Sequence, residues 1–198
     1  MIVFIPYVKD ATKYADLAAA IKTHGNNANH HLVVVTTPED EPEAYKFGDS
    51  IADNFMDAKT LTLKEGAVRT PIKMANEMFQ LACAYTAKFK IGKGEVADPP
   101  MMYFDPTYRP VEDGWLAKIQ SEYYTKNAPI VFGDFRTDDQ MAPVPHGPVM
   151  LSKKFQSESG LLSYLNGTVH WRKFLKWEFK DGVNTTLIGQ GKDSVLKR

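Results

Sequence analysis

Cysteine is nearly absent from this chain, which has Cys83 and no other. A single thiol excludes an intramolecular disulfide and a cysteine-rich zinc site, and it favours a reducing compartment. The sequence also has no long apolar run. The apolar stretch of residues 1–7 has no basic residue before it and ends at Lys9 and Asp10. We therefore expect neither a signal peptide nor a membrane span, and we expect a cytoplasmic protein.

An excess of charge of either sign is missing as well. Lys plus Arg and Asp plus Glu number 24 each, so no overall field attracts nucleic acid or an anionic membrane. A local basic patch remains compatible with this balance. The 198 residues show no repeat, low-complexity tract or composition break, and 43% are hydrophobic. We interpret residues 1–198 as a single domain with one core.

The first forty residues show the pattern of a parallel α/β unit. Residues 2–5 are a short, β-branched apolar run typical of a buried strand. Asp10 is a candidate N-cap for a helix that Gly25 terminates. Residues 32–35 form a second buried run. Because strand, helix and strand follow at short spacing, the two strands are predicted to lie parallel.

The same alternation continues along the chain. Pro71 suits the first turn of a long helix, and a loop is predicted near residues 90–97. Further helices are predicted near residues 42–52 and 112–124, and further strands near 60–63, 101–104 and 130–133. Phe79, Cys83, Trp115 and Trp171 are predicted core residues, whereas His30 and His31 are predicted to be exposed. The fold class is α/β, with a mostly parallel mixed sheet flanked by helices.

Asp105 is the most informative polar residue, because it directly follows four apolar strand residues. Ligands of open parallel sheets bind outside the carboxyl ends of the strands, and a carboxylate there can hold Mg²⁺ or Mn²⁺ on a diphosphate. Asp-Pro-Thr at residues 105–107 is also an ordinary turn sequence, in which the Asp side chain bonds the backbone two residues on. These residues alone leave both interpretations open.

Several segments, in order, resemble GT-A glycosyltransferases, particularly small phage-encoded ones. The strand that ends in Asp105-Pro106-Thr107 is followed by a Trp-Leu-x-x-Ile helix ending in Glu-Tyr. Gly133 ends the next strand, and His-Gly-Pro-Val-Met follows at residues 146–150. Gly-Gln-Gly-Lys-Asp-Ser-Val-Leu at 189–196 resembles the family's His-Gly-x-Lys-Asp-Gly-Ser-Leu, and residues 69–79 resemble its helix with Asn-x-Met-Phe.

This resemblance implies a nucleotide-sugar-dependent glycosyltransferase with a GT-A-like, Rossmann-related fold. Tyr7 is expected to stack on the nucleobase, and Thr36 to bond the base or ribose. Arg69 and Lys73, one helical turn apart, are expected to face the diphosphate. His146 is a candidate ligand of a sugar. The complete set of expected donor-binding residues is Pro6, Tyr7, Thr36, Arg69, Lys73, Asn76, Thr107, His146, Gly147, Lys192 and Asp193.

The chain departs from the family pattern at two metal positions. Thr107 stands where the family's second Asp is usual, and Gly189 stands where its metal-binding His is expected. We expect Asp105 and Thr107 to hold Mn²⁺ or Mg²⁺ weakly, with donor phosphates completing the site, since Mg²⁺ often takes only one or two protein carboxylates. Metal independence and loss of activity are the alternatives.

The acceptor chemistry is less determined. Asp134, directly after a predicted strand, is the candidate catalytic base beside Asp105. The phage resemblance points to a hydroxylated or hydroxymethylated DNA base as acceptor, in the host cytoplasm. Candidate DNA contacts are Arg172, Lys173, Lys176, Lys180, Lys197 and Arg198. A sugar-phosphate nucleotidyltransferase and a degenerate domain that binds a nucleotide or a partner are the competing functions.

Overall fold

A seven-stranded mixed sheet forms the centre of the protein in the computed structural model. The structure describes residues 1–66, 69–89, 99–127, 130–137, 143–152, 170–172, 182–184 and 195–197. The strands are β1 Ile2–Pro6, β2 Asn27–Thr36, β3 Phe55–Thr62, β4 Met101–Tyr103, β5 Arg109–Pro110, β6 Ile130–Thr137, β7 Pro143–Leu151, β8 Gly182–Asn184 and β9 Leu196–Lys197. The helices are α1 Ala11–Thr23, α2 Glu41–Ile51, α3 Pro71–Lys88 and α4 Trp115–Lys126.

The strand order places a crossover beside β1. Across the sheet the order is β3-β2-β1-β4-β7-β6-β8, and β5 pairs separately with β9. The strands β1 to β4 are parallel, whereas β7 runs antiparallel to both β4 and β6. The chain therefore builds outward from β1 to β3 and then returns to the other side of β1. The predicted mostly parallel, mixed α/β sheet is confirmed, and its switch point lies between β1 and β4.

Successive residues of each strand pack into two separate cores. Val3 lies in the core that contains Leu17 of α1 and also residues of α2 and α4. Phe4 points to the other face, into the core that contains Phe79 of α3. This alternation follows from the period of two along a strand. Burial of each large apolar side chain stabilises the fold by about 1.5–3 kcal/mol.

Local sequence signals begin two of the helices. The Asp10 side chain accepts a hydrogen bond of 3.3 Å from the backbone of Lys13, as predicted for an N-cap. Thr70 caps α3 in the same way, and Pro71 is its first residue. In contrast, α4 begins at Trp115 rather than near residue 112. The preceding Gly114 has φ +69°, so the helix cannot extend back through it.

The predicted exposure of His30 and His31 is wrong. Both histidines lie inside β2, which begins five residues before the apolar run that predicted it. His30 is buried, and His31 Nδ1 lies 2.8 Å from Asp57 Oδ1 on β3. The physical reason is that β2 lies between β1 and β3, which buries Asn27 and His30 in its polar half although residues 28 and 29 stay exposed.

Phe79, Cys83, Trp115 and Trp171 are buried, as predicted. The predicted loop at residues 90–97 lies outside the described residues. Within the described part of the chain, no helix combines the length and the apolar character needed to cross a lipid bilayer.

Candidate functional site

A cavity of about 240 Å³ opens at the switch point of the sheet. It lies beyond the carboxyl ends of β1 and β4, beside the first turn of α1 and the N-terminal half of α3. This is where the topology of an open parallel sheet places a ligand. We call it the β1–β4 cavity. It is lined by Pro6, Val8, Lys13, Tyr14, Met74, Ala75, Met78, Tyr103, Phe104, Asp105, Pro106, Thr107, His170, Trp171 and Arg172.

Asp105 lines the cavity and also shapes the turn that follows β4. Its Oδ1 accepts hydrogen bonds from the Thr107 backbone N–H at 3.0 Å and from the Thr107 hydroxyl at 2.7 Å. Asp-Pro-Thr therefore forms a turn and also places the Asp105 carboxylate at the cavity. The carboxylate lies at the sheet rim, as predicted, and one of its oxygens is bonded within its own turn.

The second oxygen of Asp105 faces a cation from far along the chain. Arg172 Nη2 lies 3.6 Å from Asp105 Oδ2, with the two side chains 12% and 20% exposed. Burial lowers the pKa of Arg172, while the nearby Asp105 carboxylate acts to raise it. Because a guanidinium keeps its proton in proteins, the pair is ionic. The cavity wall thus contains a partly buried ion pair.

Arg172 is held in place by direct contacts and by the packing of its neighbour Trp171. Its Nη1 donates a 2.8 Å hydrogen bond to the carbonyl of Gly147, and its guanidinium lies 4.5 Å above the Trp171 ring. Trp171 stacks on Phe79, with ring centroids 4.2 Å apart. The buried Asn76 Oδ1 accepts a 2.8 Å bond from the Trp171 backbone N–H. These contacts fix residues 170–172 against α3 and aim Arg172 at the cavity.

Gly147 can make its contact with Arg172 only as a glycine. Its φ is +76°, in the left-handed region that side chains disfavour. A Cβ at this position would lie 2.9 Å from Cζ of the buried Tyr108. Gly147 was predicted to bind the donor, which stays a prediction, and its backbone carbonyl accepts from the guanidinium that lines the cavity.

Lys13 brings a second cation to the β1–β4 cavity. It lies in the first turn of α1, with its Nζ 4.8 Å from the centre of the Tyr14 ring. The Tyr14 hydroxyl donates to the Pro6 carbonyl at 2.6 Å and accepts from the Val8 backbone at 3.0 Å. Burial raises the pKa of Tyr14, so the phenol keeps the proton it donates. Two cations and one carboxylate thus line the cavity among the described residues.

The predicted nucleobase contacts divide between the two sheet faces. Pro6 lines the β1–β4 cavity. Tyr7 points to the opposite face, where it stacks on Tyr14 with centroids 4.1 Å apart and packs against Phe47. Thr36 is fully buried and donates to the Tyr7 carbonyl at 3.2 Å. Neither Tyr7 nor Thr36 lines the cavity. Their contacts stabilise the strand ends.

Arg69 and Lys73 lie near the start of α3, and both side chains interact with the carboxylate of Glu77. Arg69 Nε donates to Glu77, and its Nη2 donates to the Lys64 carbonyl. Lys73 Nζ lies 3.9 Å from the same Glu77 carboxylate. Neither side chain lines the β1–β4 cavity. The two side chains that were expected to face a diphosphate are therefore ion-paired with Glu77.

Asp134 and His146 are backbone neighbours, paired across β6 and β7. The strands thus bring together the predicted base and the predicted sugar ligand, whose side chains lie outside the described part of the structure. Lys192, Asp193 and Gly189 lie outside the described residues altogether. Their roles stay predictions.

The described residues do not fit a divalent cation at Asp105. Mg²⁺ often binds through one or two protein carboxylates with phosphates completing its shell, so Asp105, the one carboxylate among the described residues that line the cavity, would have to supply that contact. One of its oxygens already accepts two hydrogen bonds, and the other faces a guanidinium that would repel a metal. Across the described ranges, no cluster of three or more His, Cys, Asp or Glu residues could hold a metal.

Sequence reasoning did not find Lys13 and Arg172 as site residues. Arg172 was expected to contact DNA, but its side chain is mostly buried against Asp105. The adjacent Trp171 was a usable signal, because arginine stacks on aromatic rings. The Trp171-Arg172 sequence does not, however, predict that these side chains lie at the ends of β1 and β4.

Comparison with known proteins shows similarity in structure only. No protein-family profile and no curated protein matches the sequence. The galactosyltransferase LgtC, solved with donor and acceptor sugar analogues, matches all of this chain and 86% of its own length, with TM-score 0.64 and 8% identity. The glycosyltransferase GlyE of Streptococcus pneumoniae matches 93% of this chain, with TM-score 0.54 and 12% identity.

A mannosyltransferase, PcManGT of Pyrobaculum calidifontis, solved with GDP-Man and Mn²⁺, matches 84% of this chain with TM-score 0.51 and 14% identity. The chain spans less than half the length of GlyE and of PcManGT, at 45% and 46%. At these identities the likeness concerns the course of the backbone. The order of strands, the helices on both faces and the cavity at the switch point together show that this chain has the GT-A glycosyltransferase fold.

Proposed function

We propose that this chain is a glycosyltransferase that moves a sugar from a nucleoside diphosphate to an acceptor hydroxyl. The observation that carries the proposal is that Lys13 and Arg172 line the β1–β4 cavity. The cavity lies at the switch point of the sheet, which is where open parallel sheets bind their ligands. A diphosphate is a dianion or more, so it fits a cavity with two cations and one carboxylate. We take residues 1–198 as one donor-binding domain.

The reaction breaks the bond between C1 of the sugar and the β-phosphate oxygen. The electron pair leaves with the diphosphate, and the acceptor oxygen forms the new bond to C1. The acceptor's proton passes to a base, for which Asp134 is our candidate. Lys13 and Arg172 stabilise the negative charge that develops on the leaving diphosphate, as preorganised charges do in other group transfers.

The size of the cavity indicates which part of the donor it holds. Its volume of about 240 Å³ is below the roughly 300–1,000 Å³ typical of sites that enclose a drug-sized ligand. We therefore assign it the diphosphate and the sugar, with Met74, Ala75 and Met78 of α3 as its apolar wall. The nucleobase would extend beyond it.

The acceptor we propose is a hydroxylated or hydroxymethylated base of phage DNA, modified in the host cytoplasm. The family resemblance to phage enzymes motivates this choice. Arg172 no longer supports it, since that side chain belongs to the cavity, whereas Lys197 is exposed on β9. A DNA acceptor predicts that transfer falls steeply with rising salt, because phosphate contacts release counterions. Transfer that ignores salt would exclude it.

A domain that binds nucleotide without turnover is the alternative. It is favoured by one observation, namely that the cavity's carboxylate is already paired with Arg172 and bonded to Thr107. Such a domain would bind the donor, and it would neither transfer nor hydrolyse it.

A thermal-shift screen of nucleotide sugars, followed by detection of released nucleoside diphosphate, tests the proposal. A donor at one hundred times its Kd stabilises the folded state by about 2.7 kcal/mol. For a chain of this size that corresponds to a rise in Tm of about 5–10 °C. A rise with release of diphosphate supports transfer, and a rise without release supports the binding domain. If no nucleotide sugar raises Tm, the proposed function is wrong.

A further inference from the structure

We infer that Arg172 takes the place of a divalent cation, so that the β1–β4 cavity binds a nucleoside diphosphate without metal. The inference rests on the proposed function, because it concerns how that same ligand is held. It changes the role expected for Asp105 from metal ligand to counter-ion of an arginine.

A cation of the chain already lies at the carboxylate of Asp105. The Arg172 guanidinium lies beside Asp105 Oδ2, where a cation bound by this carboxylate would otherwise have to lie. The two cannot occupy this corner together without strong repulsion between their charges. The cavity's fixed positive charge is therefore supplied by a side chain.

Arg172 is also held in one orientation before any ligand binds. The carbonyl of Gly147, the ring of Trp171 and the carboxylate of Asp105 contact it from three directions. A guanidinium held in this way loses little further freedom when a ligand arrives, and its planar fork matches phosphate oxygens. Trp171 is itself fixed by Phe79 and Asn76.

Thr107 occupies the other oxygen of the same carboxylate. Its hydroxyl donates to Asp105 Oδ1, so it reduces the ability of that oxygen to ligate a metal. A second Asp at this position would instead add a negative charge and draw in a divalent ion. With Thr107, the single charge of Asp105 is matched by the single charge of Arg172.

The decisive test measures Kd for a panel of UDP, GDP, ADP, CDP and dTDP by calorimetry, in excess EDTA and again with Mn²⁺. We expect at least one diphosphate to bind in EDTA with a Kd that Mn²⁺ leaves unchanged. Binding that requires Mn²⁺ overturns this inference and leaves the proposed function standing. Absence of binding under both conditions overturns both.

Two variants sharpen the result. Arg172→Gln should raise Kd in EDTA roughly 10- to 100-fold, the factor expected from lost charge-assisted hydrogen bonds. Arg109→Gln is the matched control, because it removes a surface arginine that is paired with Asp16 at 2.8 Å and does not line the cavity. It should leave Kd unchanged. Equal effects of the two variants would contradict the inference.

Asp105→Asn distinguishes the two roles by sign, and it serves if Arg172→Gln fails to fold. If Asp105 is a counter-ion, its neutralisation makes the cavity more positive, and Kd in EDTA should stay the same or fall by about tenfold. If Asp105 is a metal ligand, the same change should weaken binding measured with Mn²⁺ to the level seen in EDTA. The second outcome overturns the inference.

Discussion

Replacing Gly147 with alanine tests how the backbone holds the site together. The chain offers a matched control, because Gly114 has a similar φ of +69° against +76° at Gly147. An added Cβ at Gly114 meets no heavy atom within 4 Å. At Gly147 it would lie 2.9 Å from the ring of Tyr108, a buried side chain, so the ring or the backbone would have to shift. The two variants share the backbone strain, and only Gly147→Ala adds the steric clash.

The magnitudes follow from these contacts. Alanine in the left-handed region costs about 1–2 kcal/mol, offset in part by the roughly 0.4–1 kcal/mol that alanine gains through the unfolded chain. Gly114→Ala should therefore lower the free energy of unfolding by between about 0 and 1.6 kcal/mol. Gly147→Ala adds an overpacking term of about 1–3 kcal/mol. This extra loss of about 1–3 kcal/mol corresponds to a further fall in Tm of roughly 2–12 °C.

Urea denaturation of both variants measures the difference, and a nucleoside diphosphate titration measures its effect on the site. Because the Gly147 carbonyl accepts from Arg172, a shift of this backbone should also weaken diphosphate binding by about tenfold. Gly114→Ala should bind like the parent. Equal losses of stability, or normal binding by a destabilised Gly147→Ala, would refute the argument that this close approach positions Arg172.

Three further predictions use other groups. Burial, aided by the N-terminal ammonium and His31, lowers the pKa of His30 from 6.5 to about 4, so the unfolded chain binds the extra proton. Stability should thus fall as pH drops from 6.5 to 4, by at most about 1.4 kcal/mol per pH unit, and His30→Gln should remove that slope in acid titrations. Burial raises the pKa of the Cys83 thiol, so a thiol reagent should label it only after denaturation, and rapid labelling of the native protein would contradict this burial. The double change Thr107→Asp and Arg172→Gln should create a Mn²⁺ site detectable by electron paramagnetic resonance, and its failure to bind Mn²⁺ would contradict the charge argument.

Local signals predicted the elements well, because each depends on neighbouring residues. The apolar runs marked the central strands, Asp10 and Pro71 marked helix starts, and Asp105 marked a strand end. Polar parts of elements were missed. The first half of β2 and the short β9 owe their structure to distant partners, β3 and β5, that no local pattern reveals.

The side of the sheet that each site residue faces was available from the sequence, because strand residues alternate. Phe4 and Tyr103 pack on the α3 side, so two residues further on Pro6 and Asp105 lie on that side as well. By the same count Tyr7 falls with Ile5 on the opposite face. Alternation thus places the predicted site residues Pro6 and Asp105 at the cavity and the predicted site residue Tyr7 on the opposite face.

The position of Arg172 follows from tertiary packing, and it explains the departure at residue 107. A site with two carboxylates and a divalent ion is neutral before the donor arrives. The pair of Asp105 and Arg172, one carboxylate and one guanidinium, is neutral in the same way, and Lys13 adds a positive charge to the cavity. The change at residue 107 alone suggests a weakened metal site. Together with the ion pair to Asp105, Thr107 fits our proposal that the cation of this site is part of the chain.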